Sequence, residues 1–414
     1  MNNISHIKCI GLFLLSSICS LAYAGGYKIP ETSLNSSALS SAYIASAHGA
    51  DSSYYNPANM VFNDNIHQFE ATFSYLQLSK VKYTSTIANI LDANSNAEQF
   101  IIPNFHYSSK DLGNYRLGLS IVSPAGLSKR WDNLFARAST ESFTLKTIEF
   151  NPTISYKLNN IFSLGAGVRF VYANGKVQSN SDELSIINPN VPSLARDMSG
   201  NELAYGYNLA LAYKPNSKAS FGVTYRSKID LKLEGHAKLS ASGIMFYNGN
   251  AYVNIPLPAT LDLAFAYNFL HTSIQSTLLE FVFERNYWSS YKTLDFDYDI
   301  ALPVFDSAIE KKWHDSNVIR LGLTHSYNRQ IKLMLGYAID KTPISSKSLG
   351  FDLPSADGQI FSTGFEYKLN KQQSIGMSFM YNERDNKQVS NINVNGEFTN
   401  MNAYMLTIAY KQTF

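Results

Sequence analysis

From about residue 66 to the last residue, apolar side chains alternate with polar or small ones over repeated spans of about ten residues. A period of two residues is typical of β-strands with two different faces. In the last span, one face carries Tyr404, Leu406, Ile408, Tyr410 and Phe414, and the other carries Thr407, Ala409, Lys411 and Thr413. The first face suits lipid and the second suits a polar lumen.

About fourteen such spans are predicted, with starts near residues 66, 99, 114, 143, 161, 201, 218, 259, 273, 315, 330, 358, 373 and 400. Their connections alternate between tight turns and long loops, and the long loops lie near 179–200, 235–258, 289–314, 343–357 and 383–399. Membrane barrels have short turns on the periplasmic side and long loops outside. The pattern therefore predicts an all-β fold, a transmembrane antiparallel β-barrel of about 14 strands.

Composition separates this fold from its competitors. After the first residues, no apolar run reaches the roughly 18 residues of a membrane helix. A soluble β-sandwich also alternates, but the aromatic share of 13% and the terminal Phe414 are typical of outer-membrane barrels. The net charge of +2 gives no excess for nucleic-acid binding, so no nucleic-acid partner is expected.

Residues 1–24 resemble a secretory signal peptide. Lys8 precedes an apolar run, and Ala22-Tyr23-Ala24 fits the small-residue cleavage pattern, so the mature chain is predicted to start at Gly25. A lipoprotein signal ending at Cys19 is the alternative, but Ile18 stands where such signals carry a small residue.

Both cysteines, Cys9 and Cys19, fall in this removable segment. The exported chain is therefore expected to have no disulfide, no cysteine metal site and no cofactor. The histidines show no metal-ligand spacing, and His314-Asp315 is the one pair that suggests catalysis. A rim ion pair explains it more simply, so no enzyme is predicted.

Residues 25–65 do not alternate and are rich in serine and alanine. They form either a disordered tail or a compact plug in the lumen. Their small side chains, with Leu39 and Tyr43, favour a plug. The predicted organisation is a signal peptide at 1–24, an N-terminal hatch at 25–65 and a transmembrane barrel at 66–414.

Within this extension, Tyr54-Tyr55-Asn56-Pro57-Ala58 resembles the Asn-Pro-Ala signature of FadL-type transporters, which move long-chain fatty acids and aromatic hydrocarbons across outer membranes. The resemblance extends through residues 156–167, 224–228 and 313–323. It implies a fourteen-stranded barrel closed by an N-terminal hatch, with Asn56, Pro57 and Ala58 as the hatch motif.

Pro124, Ala125 and Gly126 follow the third predicted strand. Proline cannot donate to a sheet and glycine weakens one, so the strand is expected to kink or to end here. By resemblance, the segment matches the FadL-type strand whose kink opens the wall toward the bilayer. An ordinary strand end is the alternative.

Two of the predicted long loops carry apolar side chains, which usually mark a binding surface when they cluster. These residues are Ile186, Ile187, Val191, Leu194, Ile244, Met245 and Phe246. Packing of the loops on the rim is one interpretation. The resemblance favours an outer hydrophobic groove that collects substrate.

A carboxylate in the lumen requires a cationic partner, and the candidates are Arg169, Lys176, Arg226, Lys292 and Arg320, with Arg169, Lys176 and Lys292 as the three predicted partners. The two basic carboxylate-binding positions of the family fall on Ser179 and Asp295, which are not basic. Because of this difference, transport of hydrophobic molecules is still predicted, but specificity for fatty acids is not.

The predicted function is passive uptake of hydrophobic small molecules across the outer membrane, with lateral exit through the barrel wall. Long-chain fatty acids are the first candidate substrate, and aromatic or other neutral hydrophobes are the second. Expected partners are membrane lipid, lipopolysaccharide and, through Phe414, the outer-membrane assembly machinery. A barrel of this kind is also compatible with a general porin and with a surface receptor or adhesin.

Overall fold

A computed structural model describes residues 26–272, 274–302 and 304–414. The predicted signal peptide, with Cys9 and Cys19, lies outside the described residues. Within the described ranges, no helix is long and apolar enough to span a bilayer.

Fourteen antiparallel strands form the barrel. They are β1 (Gln68–Leu78), β2 (Glu98–Ser108), β3 (Tyr115–Val122 and Gly126–Arg130), β4 (Ser142–Lys157), β5 (Phe162–Asn180), β6 (Leu194–Tyr213), β7 (Ala219–Arg226 and Ile229–Ala241), β8 (Ile244–Leu257 and Thr260–His271), β9 (Ser276–Asn286), β10 (Ser316–Ser326), β11 (Ile331–Asp340), β12 (Gly358–Lys368), β13 (Gln373–Arg384) and β14 (Ala403–Thr413). Strand β1 pairs with both β2 and β14, which closes the barrel. The predicted fold is confirmed.

Twelve of the predicted strand starts lie within three residues of the observed ones, and β6 and β8 begin earlier. The prediction of a long loop near 235–258 is wrong. There β7 and β8 continue as a paired hairpin, which turns at Ser242 and Gly243 with positive φ angles of 50° and 74°. Apolar and polar residues still alternate in this hairpin, but its outward side is too polar to resemble a membrane strand.

Short helices and strands lie in the hatch and in the loops. The hatch contains α1 (Leu34–Ala38), α2 (Ser52–Tyr55) and the 3-10 helix Pro57–Phe62, and the loops contain α3 (Leu134–Ser139), α4 (Asp182–Ile187) and the 3-10 helices Asn89–Leu91 and Trp288–Ser290. Lys82–Ser85, Ala93–Asn94, Lys387–Ser390 and Asn395–Thr399 form a four-stranded loop sheet, Thr293–Leu294 pairs with Ile309–Glu310, and Phe296–Tyr298 pairs with β8.

The two faces of the strands differ as the alternation predicts. Val168, Leu335 and Ile408 are exposed on the outside of the wall, whereas Arg169, Asp340 and Thr407 are buried inside. An apolar outer face and a polar inner face are typical of barrels that span a membrane.

The hatch, residues 26–62, lies in the lumen. Its path follows glycines on the inner face of the wall, where an added Cβ would come within 3.0 Å of hatch atoms. These glycines, each with its hatch neighbour, are Gly118 with Met60, Gly165 with Ala58, Gly222 with Asn56, Gly322 with Ala42, Gly336 with Leu39, Gly364 with Ala38 and Gly376 with Leu34. Missing side chains in the wall therefore make room for the plug.

Candidate functional site

The hatch motif forms hydrogen bonds within the hatch and between the hatch and the barrel wall. The Asn56 Nδ2 donates to the carbonyl oxygens of Ile44 (3.2 Å) and Leu211 on β6 (3.4 Å). The Ala58 carbonyl accepts from the Ser163 hydroxyl on β5 at 2.6 Å. Pro57 begins the 3-10 helix, where its missing N–H costs nothing. All three motif residues are buried.

Glu280 on β9 provides the most concentrated anchor for the hatch. Its carboxylate accepts from the backbone N–H groups of Ile44 and Ala45, both at 2.6 Å, and of Ser46 at 3.1 Å, and also from the Ser46 hydroxyl. One buried carboxylate thus pairs three backbone donors that would otherwise be costly to bury.

Buried ion-pair groups contact the hatch, and two of them lie near the hatch cavity. Glu149 on β4 binds both Arg169 on β5 and Arg226 on β7, and the Arg226 guanidinium lies 4.2 Å from the centre of the Tyr54 ring. Arg169 also donates to the Ser227 carbonyl at 2.7 Å. The side chain of the candidate carboxylate partner Arg169 is therefore already occupied by protein partners.

The second group holds the start of the hatch. Glu284 on β9 accepts from Lys28 at 2.8 Å and from Arg320 on β10 at 3.1 Å. Arg320 also donates to the Ser40 carbonyl at 2.9 Å, and Lys28 to the Asn286 side chain at 2.6 Å. Glu284 and Arg320 therefore each bind a residue of the hatch.

Near this network, Glu31 is a buried carboxyl of the hatch with 5% of its surface exposed. Burial raises the pKa of Glu31, and the positive charge of Arg320 opposes this rise only in part. Its side chain accepts one hydroxyl hydrogen bond, from Ser41 at 3.4 Å.

A cavity of about 70 Å³, termed the hatch cavity, lies between the hatch and the wall. Its lining includes Lys28, Tyr54, Pro124, Leu209, Arg226 and Pro258. Since a buried water needs roughly 10–15 Å³ of such volume, the cavity has room for a few waters but not for a long alkyl chain in this conformation. Its lining combines apolar side chains, such as Leu209 and Pro258, with charged ones, such as Lys28 and Arg226.

Pro124, Ala125 and Gly126 interrupt the wall beside this cavity. Strands β2 and β3 pair between Ser108 and Phe105, and pairing resumes at an isolated bridge between Ser95 and Trp131. The unpaired stretch, 97–104 against 122–129, is termed the first gap. On its other side β3 stays paired with β4, with one extra residue in β3, as in a β-bulge.

The start of the hatch closes the first gap from inside. The Ile29 N–H donates to the Pro124 carbonyl at 2.9 Å, and the Gly126 N–H donates to the Tyr27 carbonyl at 3.0 Å. Movement of residues 27–29 would therefore uncover the gap.

The lumen on the side of the long loops is apolar. A buried cluster here, termed the outer apolar cluster, includes Trp131, Trp288, Trp313, Phe351, Phe398, Leu231 and Leu233. A small apolar pocket of about 20 Å³ lies within this region between β4, β5, β6 and β8. This cluster packs from the hatch residue Tyr27 up to the loop sheet.

The predicted groove residues lie at the outer end, on two structures. Ile186 and Ile187 are on α4 with 81% and 62% of their surface exposed, and Val191 follows α4. Leu194 begins β6, and Ile244, Met245 and Phe246 begin the outer part of β8, close to its turn. Leu194 pairs with Ala241, and Ala241 pairs with Ile244, so these residues lie side by side at the strand ends.

The three predicted carboxylate partners are not brought together. Arg169 is buried in the wall, whereas Lys176 lies near the outer end of β5, 44% exposed, with Asp197 at 3.6 Å. Lys292 is exposed in the loop after β9. Sequence reasoning missed Lys28, Glu280 and Glu284, although both glutamates fall on the inner parity of β9.

His314 and Asp315 contact different partners and not each other's side chains. The His314 ring contacts the Pro343 carbonyl at 2.5 Å, while Asp315 accepts from Arg285 at 3.0 Å and from the Ser289 N–H at 2.9 Å. Among the residues that the structure describes, no group of three or more metal-ligating side chains is placed to hold an ion.

Comparisons with known proteins agree with this architecture. The "Long-chain fatty acid transport protein" of Salmonella typhi is 25% identical over 406 residues, which cover 88% of this chain and 89% of the relative. The crystal structure of a Pseudomonas aeruginosa FadL homologue matches with a TM-score of 0.81 and 18% identity, covering 94% of this chain and 99% of that chain. The P. putida toluene transporter TodX matches with a TM-score of 0.72 and 18% identity, covering 92% and 98%.

The family model described as "Outer membrane protein transport protein (OMPP1/FadL/TodX)" matches residues 15–414. The match spans the hatch, the interrupted β3 and the rest of the barrel. This chain belongs to that family of outer-membrane transport proteins.

Proposed function

We propose that the protein takes up hydrophobic small molecules passively and releases them sideways through the first gap into the membrane. The observation that carries the proposal is the combination of a lumen filled by a hatch with a wall that is unpaired beside Pro124. A filled lumen does not suit bulk aqueous flow, and an unpaired wall at membrane depth is tolerated where it lines a path.

Each step of the path has a physical driving force. Exposed Ile186, Ile244 and Phe246 provide the first apolar contact at the cell surface. The outer apolar cluster then offers a larger apolar environment, and each transfer from water gains about 25 cal/mol per Å² of buried apolar surface. Displacement of residues 27–29 opens the first gap, and the bilayer receives the substrate.

For the substrate, fatty acids and neutral aromatic hydrocarbons both fit this path, and relatives are named for each class. The internal ion pairs favour the neutral class. Arg169 and Arg226 share Glu149, and Arg320 binds Glu284, so a carboxylate entering the hatch region would have to compete for cations that are already paired.

The proposed function is transport without a catalysed reaction. Lipid and lipopolysaccharide surround its apolar outer face, and Phe414 is its proposed contact with the assembly machinery. The terminal residue is 61% exposed and its backbone pairs with His67 in both directions at 3.1 Å.

The test is uptake of radiolabelled oleate and, in parallel, toluene by cells that lack their own transporter and express this chain. Replacement of both Pro124 and Gly126 by valine is expected to reduce uptake severalfold at unchanged barrel levels, because β3 can then pair through. Pro152→Val, at a strand proline of β4 that lies outside the gap and pairs with Leu119 of β3, is the matched control and should leave uptake unchanged. Undiminished uptake in the double variant would contradict lateral exit through the first gap.

A further inference from the structure

The wall has a second interruption, between β6 and β7. These strands pair from Phe221↔Tyr213 to Arg226↔Asn208, and pairing resumes at Glu234↔Asn201. Among the described residues, no ladder pair joins 202–206 to 228–233, and this stretch is termed the second gap. The strand register changes by one residue across it, as at a β-bulge.

The outward face of the second gap is apolar on β6 and charged on β7, where Lys228, Asp230 and Lys232 lie on the outer side. Leu203, Tyr205 and Tyr207 are outward on β6, with exposed fractions of 48%, 62% and 50%. Unpaired backbone is costly in a barrel wall facing lipid, because water is not available to satisfy it. On the β6 side, where the outward residues are apolar, the interruption therefore needs a reason other than ordinary strand twist.

The hatch cavity lies beside the first gap and next to the inner end of the second gap. Its lining includes Pro124 of the first gap and also Asn208 and Arg226, which form the last strand pair before the second gap. Pro258, where β8 is itself interrupted beside β7, lines the same cavity. A molecule that reaches the cavity therefore has two interruptions of the wall next to it.

The two gaps are sealed differently. Hatch backbone covers the first gap, whereas the second is covered by the side chains of Ile229 and Ser227 on β7. A Cβ added to Gly206 would lie 2.8 Å from Ile229 Cδ1 and 2.7 Å from Ser227 Oγ, so both side chains lie against the Gly206 backbone. The Tyr207 N–H donates to Ser227 Oγ at 2.9 Å, which fixes this edge.

A row of three glycines borders the second gap on its outer side. Gly175, Gly200 and Gly235 are paired in register across β5, β6 and β7. A Cβ on Gly235 would lie 1.9 Å from the Ser199 carbonyl oxygen, so the backbones approach closely there. Without side chains, this row allows the outer β7–β8 hairpin to bend relative to β6.

We propose that the second gap is a second lateral passage for hydrophobic molecules, between the hatch cavity and the membrane, with Ile229 as its gate. The passage rests on the proposed function, since it serves the same substrates. It differs from the first passage because side chains cover it, so that its opening does not require the hatch to leave β3.

The test uses the full chain in transporter-deficient cells, with oleate and toluene as probes. Closure of the first gap with valine at positions 124 and 126 is expected to leave roughly a fifth to a half of wild-type uptake. In this background, Ile229→Trp should reduce the remaining uptake to that of cells without the chain, and Ile229→Ala should raise it about twofold. Leu263→Trp, on the lipid face of a fully paired stretch of β8, is the control and should have no effect.

Outcomes separate the two proposals. Absence of uptake by the wild-type chain would overturn the proposed function. If wild-type uptake is normal and closure of the first gap alone abolishes it, only the second passage is wrong. Equal residual uptake in the Ile229→Trp and Ile229→Ala variants would also overturn it. Ile229→Phe replaces Ile229→Trp if the tryptophan variant does not reach the membrane as a heat-modifiable barrel.

Discussion

On the side of the short turns, the lumen is held by directional contacts: Glu280 binds three consecutive hatch N–H groups, and Glu284 binds Lys28 and Arg320. On the side of the long loops, the lumen is filled by tryptophan, phenylalanine and leucine side chains. Hydrogen bonds and ion pairs depend on distance and angle and so fix one arrangement, whereas apolar burial is non-directional. The inner half is therefore built as a closure, and the outer half can accept apolar molecules of different shapes.

The largest expected effect comes from forcing the closure out of place. In Gly336→Val, the new Cβ would lie 2.1 Å from the Leu39 carbonyl carbon and 2.4 Å from the Ser40 nitrogen, which are backbone atoms that cannot swing aside. Overpacking of this kind costs typically 1–3 kcal/mol or more. We expect the hatch to shift and ion conductance in planar bilayers to rise at least tenfold.

Ala166→Val, on the outward face of β5, is the control for the glycine variant and should conduct like the wild type. A Gly336→Val barrel with wild-type conductance would show that close approach of hatch and wall does not depend on this glycine.

A smaller effect is expected in the outer half. Trp131 is fully buried, packs edge-on against Phe351 at 5.0 Å and donates to the Phe351 carbonyl at 2.9 Å. Trp131→Ala should lower stability by about 3–5 kcal/mol without raising conductance, because its ring and hydrogen-bond partners Phe351 and Phe398 lie in the loops. Thermal unfolding in detergent measures the first quantity and bilayer recording the second.

Phe361→Ala, on the lipid face, is the matched control for this aromatic deletion and should change the unfolding midpoint much less. If Trp131→Ala leaks ions as strongly as Gly336→Val, the two halves are not independent closures.

The smallest effect is a pH dependence within the inner half. Burial raises the pKa of Glu31 above its ordinary value of 4.5, with Arg320 opposing and Asp340 and Glu284 adding to the rise. A raised carboxyl pKa contributes stability that is full below the unfolded value and is lost as pH rises through the folded value. We expect hatch openings to be rarer at pH 5 than at pH 8, and Glu31→Gln to reduce this difference.

Bilayer recordings of wild type and Glu31→Gln at the two pH values measure that difference. An identical pH response in both proteins would assign the titration to another group.

The strand pattern of the sequence was sufficient for the barrel, because lipid and lumen impose opposite chemistry on alternate residues. Strand β14 and the inward Arg169 follow this rule directly. The outer hairpin of β7 and β8 was not predicted because its outward side carries charged residues such as Lys232 and Glu234. It therefore lacks the apolar outer face by which membrane strands are recognised.

The site was less accessible from sequence. Parity places Arg169 and Glu280 inside the barrel, but it does not say that Arg169 binds Glu149 or that Glu280 binds the hatch at Ile44. The second gap depends on which residues of β6 and β7 fail to pair, and these are far apart in the chain. Such non-local pairing leaves no local mark other than the isolated glycines beside it.

The central claim is that a barrel closed to ions still passes hydrophobic molecules. The most direct measurement combines ion conductance of the purified wild-type protein in planar bilayers with uptake of oleate and toluene by cells expressing it at a known level. We predict negligible conductance together with uptake of at least one compound well above that of cells without the chain. High conductance with no uptake of either compound would contradict the account and identify a general porin.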